Sequence, residues 1–162
     1  MGVLTSRVDR REELCDALVA RWGPVDFSCP PFPFTFTTYY DREMGTPIWR
    51  FFLSFQRLVD PSHMAALKRE TNSMEERYRE DGRRKVNLDP GLLSLSRFVL
   101  ATTKDNAHRI PLENGIYAEV TLLYHKGGYQ PLPWTYPDFR SERYLAILNQ
   151  VGALYRSQLG SR

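Results

Sequence analysis

Long apolar runs are missing from this sequence. No stretch approaches the ~20 apolar residues of a membrane helix. Residues 1–6 lack the basic-then-apolar layout of an export signal, and the two absences together point to the cytoplasm. Cysteine is scarce, with Cys15 and Cys29 the only two in 162 residues. They form no CxxC pair, and the three histidines show no zinc spacing. Cys15 falls among apolar helix positions and reads as a small buried thiol; a disulfide does not suit a reducing compartment. There is no GxxxxGK[ST] loop and no GxGxxG, so the standard phosphate cradles are absent. There is no GxSxG elbow. His108 is followed by Arg-Ile and His125 by Lys-Gly, which removes the HxT/HxS pairs of 2H phosphoesterases. Charge of one sign is also lacking: the net charge is only +3. Even the densest basic run, Arg77 to Lys85, is half cancelled by Glu80 and Asp81, and it reads as a helix end and turn. That pattern speaks against nucleic acid as a partner.

What is present fits one domain over 1–162. A hydrophobic fraction of 42% with 13% aromatics supplies a core rich in sheet. Val3-Leu4-Thr5 reads as a first strand. Asp9 and Glu12 have capping-box spacing, before a helix with a stripe of Leu14, Leu18 and Trp22 that Gly23-Pro24 stops. Phe32, Phe34 and Phe36 alternate, as do Trp49, Phe51, Leu53 and Phe55, giving an antiparallel pair. Asp60-Pro61 opens a second helix burying Met64, Leu67, Thr71, Met74 and Tyr78, and Gly82 ends it. Val86 and Leu88 begin a strand, and Pro90-Gly91 is a turn pair. Phe98, Leu100 and Thr102 alternate next. Asn114-Gly115 marks a hairpin. In its second arm Ile116, Ala118, Val120 and Leu122 share one face, and Tyr117, Glu119, Thr121 and Leu123 the other. Gly127-Gly128 turns, Pro131 to Pro137 is extended, and Ser141 caps a last helix. The fold class is α+β: a mainly antiparallel sheet with helices on one face. The first six elements follow a βαββαβ (ferredoxin-like) order, and a β-meander and C-terminal helix come after them.

The candidate site lies in the loop Lys104-Asp105-Asn106-Ala107-His108-Arg109, with Thr102 and Thr103 before it. Two cations and an imidazole suit a phosphate or carboxylate. Glu119 is a carboxylate inside a strand, and on a covered face it needs a cation, Arg109 or Lys104. The competing reading is an ion pair at the edge of a solvent-facing sheet. Asn87 and Asp89 share a strand face and read either as ligand contacts or as an Asx turn. With Glu119 and His108, Asp89 also offers weak metal-ligand chemistry, and no metal or cofactor is specified. Lys68, Asn72 and Glu75 either line a pocket or form a helix flank with an intrahelical Lys–Glu attraction. Glu43-Met44-Gly45 is a lid or a connection. Trp134 to Phe139 stacks a flat ligand or straps a core. The leading expectation is a small anionic ligand, with catalysis left open. Glu119 and His108 are the catalytic candidates; Lys104, Arg109, Thr102, Asn87, Asp89, Asn72 and Lys68 are the ligand-binding ones. The alternative is a protein- or RNA-interaction module using Phe52, Tyr117 and the Trp134–Phe139 segment. Oligomeric state is not indicated.

Several motifs in order carry a family resemblance. They are Thr38-Tyr39-Tyr40 with Glu43-Met44-Gly45, Ser54-Phe55 before Leu58 and Asp60-Pro61, and Lys68 with Thr71-Asn72. Arg84, Asn87-Leu88-Asp89-Pro90-Gly91, Val99 to Lys104, and His108-Arg109-Ile110 follow, then Gly115 to Leu122 and Trp134 to Asp138. With these the chain resembles the DUF4416 family, bacterial proteins of unknown function, over nearly its whole length. It departs from the family pattern at Leu92 and Pro111, where the pattern has Tyr. Its short N-terminus implies a weakened first strand. Some relatives carry a "GTP-binding" label, which makes nucleotides worth testing. The pattern favours polar positions, which implies a site.

Overall fold

The computed structural model describes residues 1–160. The chain packs as two compact units, Met1–Asp60 with Arg69–Asp89, and Pro61–Lys68 with the chain from Pro90 on. Both are α+β with antiparallel ladders.

The first unit holds β1 (Gly2–Thr5), α1 (Arg11–Trp22), β2 (Val25–Ser28), β3 (Phe32–Pro33), α2 (Asp41–Met44) and β4 (Trp49–Phe55). After them come the later turns of α3 (Met64–Glu76), then β5 (Arg79–Glu80), β6 (Arg83–Arg84) and β7 (Val86–Asp89). The sheet runs β2-β4-β1-β7, with β3 also on β4. The expected weak first strand is corrected: β1 is central and wholly buried. Ladders on both edges satisfy its backbone. Val3 lies opposite Phe51 and Leu88, so the three share a face. Leu14 and Leu18 of α1 and Met74 of α3 close that face. On the other face Leu4, opposite Arg50 and Asn87, packs with Phe34, Met44 and Ile48.

Local chemistry moves several boundaries. Arg7 Nη2 takes the Asp9 carboxylate at 2.8 Å, so Asp9 does not cap, and a 3-10 turn at Val8–Arg10 precedes α1. The Phe32–Phe36 alternation yields only two strand residues, and Phe36 is 42% exposed. Pro33 has no N–H to extend that ladder. The strand Val25–Ser28, too short and mixed to carry a pattern, was not expected. α3 ends at Glu76, and Asp81-Gly82, both at positive φ, form the turn of the β5–β6 hairpin. β3, α2 and that hairpin interrupt the simple six-element order.

The second unit has the start of α3, then β8 (Gly91–Leu93), β9 (Arg97–Thr102), β10 (Ile110–Pro111), β11 (Tyr117–His125), β12 (Gly128–Pro131) and α4 (Glu142–Gly160). Its order is β10-β11-β9-β8, and β12 also pairs with β11. Asn114 and Gly115, at φ 56° and 71°, turn the expected hairpin. The later turn sits at Lys126-Gly127, one residue earlier than expected. Pro90-Gly91 is no turn, because Gly91 opens β8. Ser141 Oγ does cap α4, accepting the Tyr144 N–H at 3.3 Å.

β11 carries a bulge. Val120 is opposite Val99 and Leu122 is opposite Phe98, so Thr121 is the extra residue. Alternation breaks there, and Leu122 joins the face of Glu119 while Leu123 is exposed. Ala101, Ile116, Val99 and Ala118 pack with Met64 and Ala65 of α3 on the opposite face. Phe98 stacks on Phe139, which meets Tyr144 of α4 edge-on. Among the described residues no helix is long and apolar enough to cross a membrane.

Candidate functional site

Two short strands share one edge of β11. β10 pairs with Tyr117 and Ala118, and β12 pairs with Leu122 to His125. Residues 119–121 fall in the gap between them. The segment after β12 crosses that gap. Trp134 Nε1 donates to the Val120 carbonyl at 2.8 Å, and Thr135 Oγ1 to the Thr121 carbonyl at 2.5 Å. The strap therefore satisfies carbonyls that no strand reaches. His108 and Arg109 enter from the other side, just before β10.

Glu119 is the centre, 1% exposed. Its Oε2 accepts from Arg109 Nε at 2.8 Å and lies 2.9 Å from His108 Nε2. Thr121 Oγ1 stands 3.5 Å from Oε1. A buried carboxylate needs such a partner, and of the two cations offered by the sequence the chain uses Arg109. Arg109 Nη1 donates to the Lys104 carbonyl at 2.7 Å, and Nη2 donates to the Tyr136 hydroxyl. The guanidinium also lies over the Tyr136 ring, 5.9 Å from its centroid. Burial and the Glu119 charge raise the Tyr136 phenol above its ordinary range, against the pull of Arg109 and Lys104.

His108 stacks on Trp134 with ring centroids 5.3 Å apart and planes 16° from parallel. With a permanent guanidinium on the same carboxylate oxygen, Glu119 is the acceptor, and His108 donates through Nε2–H. Nδ1 has no hydrogen-bond partner among the described residues. Thr102 Oγ1 accepts the Lys104 N–H at 3.2 Å and so shapes the start of the loop.

Asn87 and Asp89 belong to another cluster, in the first unit. Asp89 accepts from Arg50 Nη1 at 3.1 Å and from Asn87 Nδ2 at 2.8 Å. Arg84 Nη1 donates to Asn87 Oδ1 at 3.0 Å and to Glu75 at 2.9 Å. Arg84 also forks onto Glu43 through Nε and Nη2. Glu75 takes the Leu88 N–H at 2.7 Å. Lys68 and Glu75 are both buried, while Asn72 is half-buried. Glu43 is the outer end of an ion-pair chain rather than a simple connection. Phe52 is buried and offers no surface for a partner.

Two residues at the His108 site were expected only as part of a segment that stacks a flat ligand or straps a core, without a link to Glu119. Trp134 and Tyr136 are 40% and 41% exposed, yet both are anchored to the Glu119 cluster. The only sequence signal was an aromatic-proline run, which does not reveal what it crosses. Among the described residues no group of three or more His, Cys, Asp or Glu is placed to hold a metal ion.

The fold and site define an α+β protein with a buried carboxylate holding a histidine and an arginine. Residues 1–155 match the family described as Domain of unknown function (DUF4416), and the chain belongs to that family. No curated protein and no solved structure matches it.

Proposed function

We propose that the second unit binds a small anionic ligand beside His108, Arg109 and Lys104, and that His108 moves the proton if chemistry follows. The observation that carries this reading is the state of His108. Glu119 holds one ring nitrogen, Trp134 covers a ring face, and Nδ1 has no partner among the described residues. Arg109 uses one N–H on each of its three nitrogens, which leaves two more. Glu119 is then a positioning group, since its oxygen on this side is already shared by two donors. Thr102 orders the loop. Asn87, Asp89 and Asn72 serve the first unit in this reading, and Lys68 is assigned no ligand contact. The setting we propose is a bacterial cytoplasm, a reading with which two cysteines outside any disulfide are compatible.

A thermal-shift screen with nucleotides, sugar phosphates and carboxylates tests the reading. At least one class should raise the melting temperature of the wild type. That shift should shrink in Lys104→Ala and vanish in His108→Ala. A hit that stabilises His108→Ala as well as the wild type would place the ligand elsewhere, and no hit would overturn anion binding.

A further inference from the structure

We propose that Arg140 is the positioning residue of this site: it fixes the strap that lays Trp134 on His108 and Tyr136 on Arg109. The inference rests on the anion-binding reading above for what the site does, and on the strap's own hydrogen bonds for how the site is held.

The strap cannot hold itself as a strand. Pro133 and Pro137 have no N–H, so the chain between β12 and α4 lacks the donors of a ladder, and its carbonyls need donors from elsewhere. A local turn supplies some. The Thr135 N–H reaches the Leu132 carbonyl at 3.0 Å, and Thr135 Oγ1 accepts the Leu132 N–H at 2.8 Å. Arg140 supplies the rest. Its Nε donates to the Thr135 carbonyl, and its Nη2 donates to the Leu132 and Pro133 carbonyls, each at 2.8 Å. One planar cation thus gathers the carbonyls of the turn, and its charge strengthens each bond.

The guanidinium is itself held from the core side. Arg140 closes a 3-10 turn, Asp138–Arg140, whose Phe139 is buried and stacks on Phe98. From that fixed backbone Arg140 reaches back to the strap. Trp134 lies between the Pro133 and Thr135 carbonyls that Arg140 takes, so the fork sets the direction in which the indole leaves the chain. The indole then meets the His108 ring, and Tyr136, the residue after Thr135, meets Arg109. Among the described residues Arg140 bonds neither His108, Arg109 nor Glu119, and no carboxylate pairs with it. An exposed arginine spent wholly on neutral carbonyls serves shape and not charge balance. It acts on the site through the strap.

The test follows the His108 Hε1 and Hδ2 signals of the full chain, at one pH and without ligand. Trp134→Ala gives the shift that the indole imposes on them. Arg140→Ala should remove at least half of that shift and leave the β9 amide signals in place, because Phe98 and Phe139 keep their stack. Arg140→Lys, a point charge in place of a fork, should fall between Arg140→Ala and the wild type, and it decides the matter if Arg140→Ala alone fails to fold. Inorganic phosphate should bind Arg140→Ala about tenfold more weakly than the wild type, since Trp134 and Tyr136 must then be ordered on binding. Unchanged His108 signals in the variants overturn the proposal. A general loss of the β9 amide signals in both variants also overturns it, because Arg140 would then hold the fold and not the site. Moved His108 signals with equal phosphate affinity overturn the strap's part in binding. If phosphate binds neither protein, the anion reading fails on this probe, while the His108 signals still decide the role of Arg140.

Discussion

Gly91 and the Phe98 ring are packed so closely that a Cβ on Gly91 would lie 2.5 Å from Phe98 Cε2. The glycine serves this contact and not a positive φ. Gly91→Ala should cost about 1–3 kcal/mol, the usual range for overpacking. Urea denaturation measures it. Adding Phe98→Leu should return part of the loss; full wild-type stability in Gly91→Ala would mean that the ring moves freely.

Arg50 is 2% exposed, and Asp89 is a carboxylate partner at 3.1 Å. Asp89→Ala removes a carboxylate partner from a buried guanidinium. The expected loss is about 3 kcal/mol. The double change Arg50→Met, Asp89→Leu should be milder than the single one, because it removes both charges. If the single variant were the more stable of the two in equilibrium denaturation, the pair would be structurally idle.

Burial pushes the Tyr129 phenol up to about 12, from an ordinary value of 10.0. Between these values the unfolded chain has released the proton and the folded chain still holds it. Stability therefore falls as pH rises from 10 to 12, and below pH 10 this group contributes no slope. Tyr129→Phe should flatten that part of the profile. Absorbance at 295 nm should show one fewer late-ionising tyrosine in the variant; an identical titration would refute the shift.

Glu119→Gln keeps the volume but removes the charge that Arg109 and His108 share. A loss of about 2–4 kcal/mol is expected, since a buried cation loses its partner. The amide can also present N–H to His108, so the fixed Nε2–H tautomer should give way to a mixture. Histidine ¹⁵N shifts read this directly. An unchanged tautomer would show that Trp134 stacking alone orients the ring.

The parts of the fold written in local chemistry were legible. Period-two alternation marked Trp49–Phe55, and Asn114-Gly115 marked its hairpin, because each depends on adjacent residues. Gly23 ends α1 as expected, with its N–H on the Val19 carbonyl at 2.8 Å. Features set by distant partners were hidden. Asp9 has the right spacing for a cap, yet Arg7 competes for it. At the site, the need of Glu119 for a cation followed from the cost of burying a carboxylate, with Arg109 and Lys104 both on offer. Trp134 and Tyr136 did not, because nothing local records that their segment crosses the gap between β10 and β12.

Thr121 gives β11 a phase slip, as if two strands half a period apart had been spliced. The first stretch presents Glu119 to the site, and the second turns Leu122 into the core. Each could be read correctly from its own alternation, but in different frames. Deleting this one residue would bring them into step with Leu122 still opposite Phe98 and facing the core; what it would remove is the Thr121 carbonyl that Thr135 takes. A homologous strand could lack the extra residue and keep every side chain beyond it on its present face, so long as the segment after β12 found another anchor.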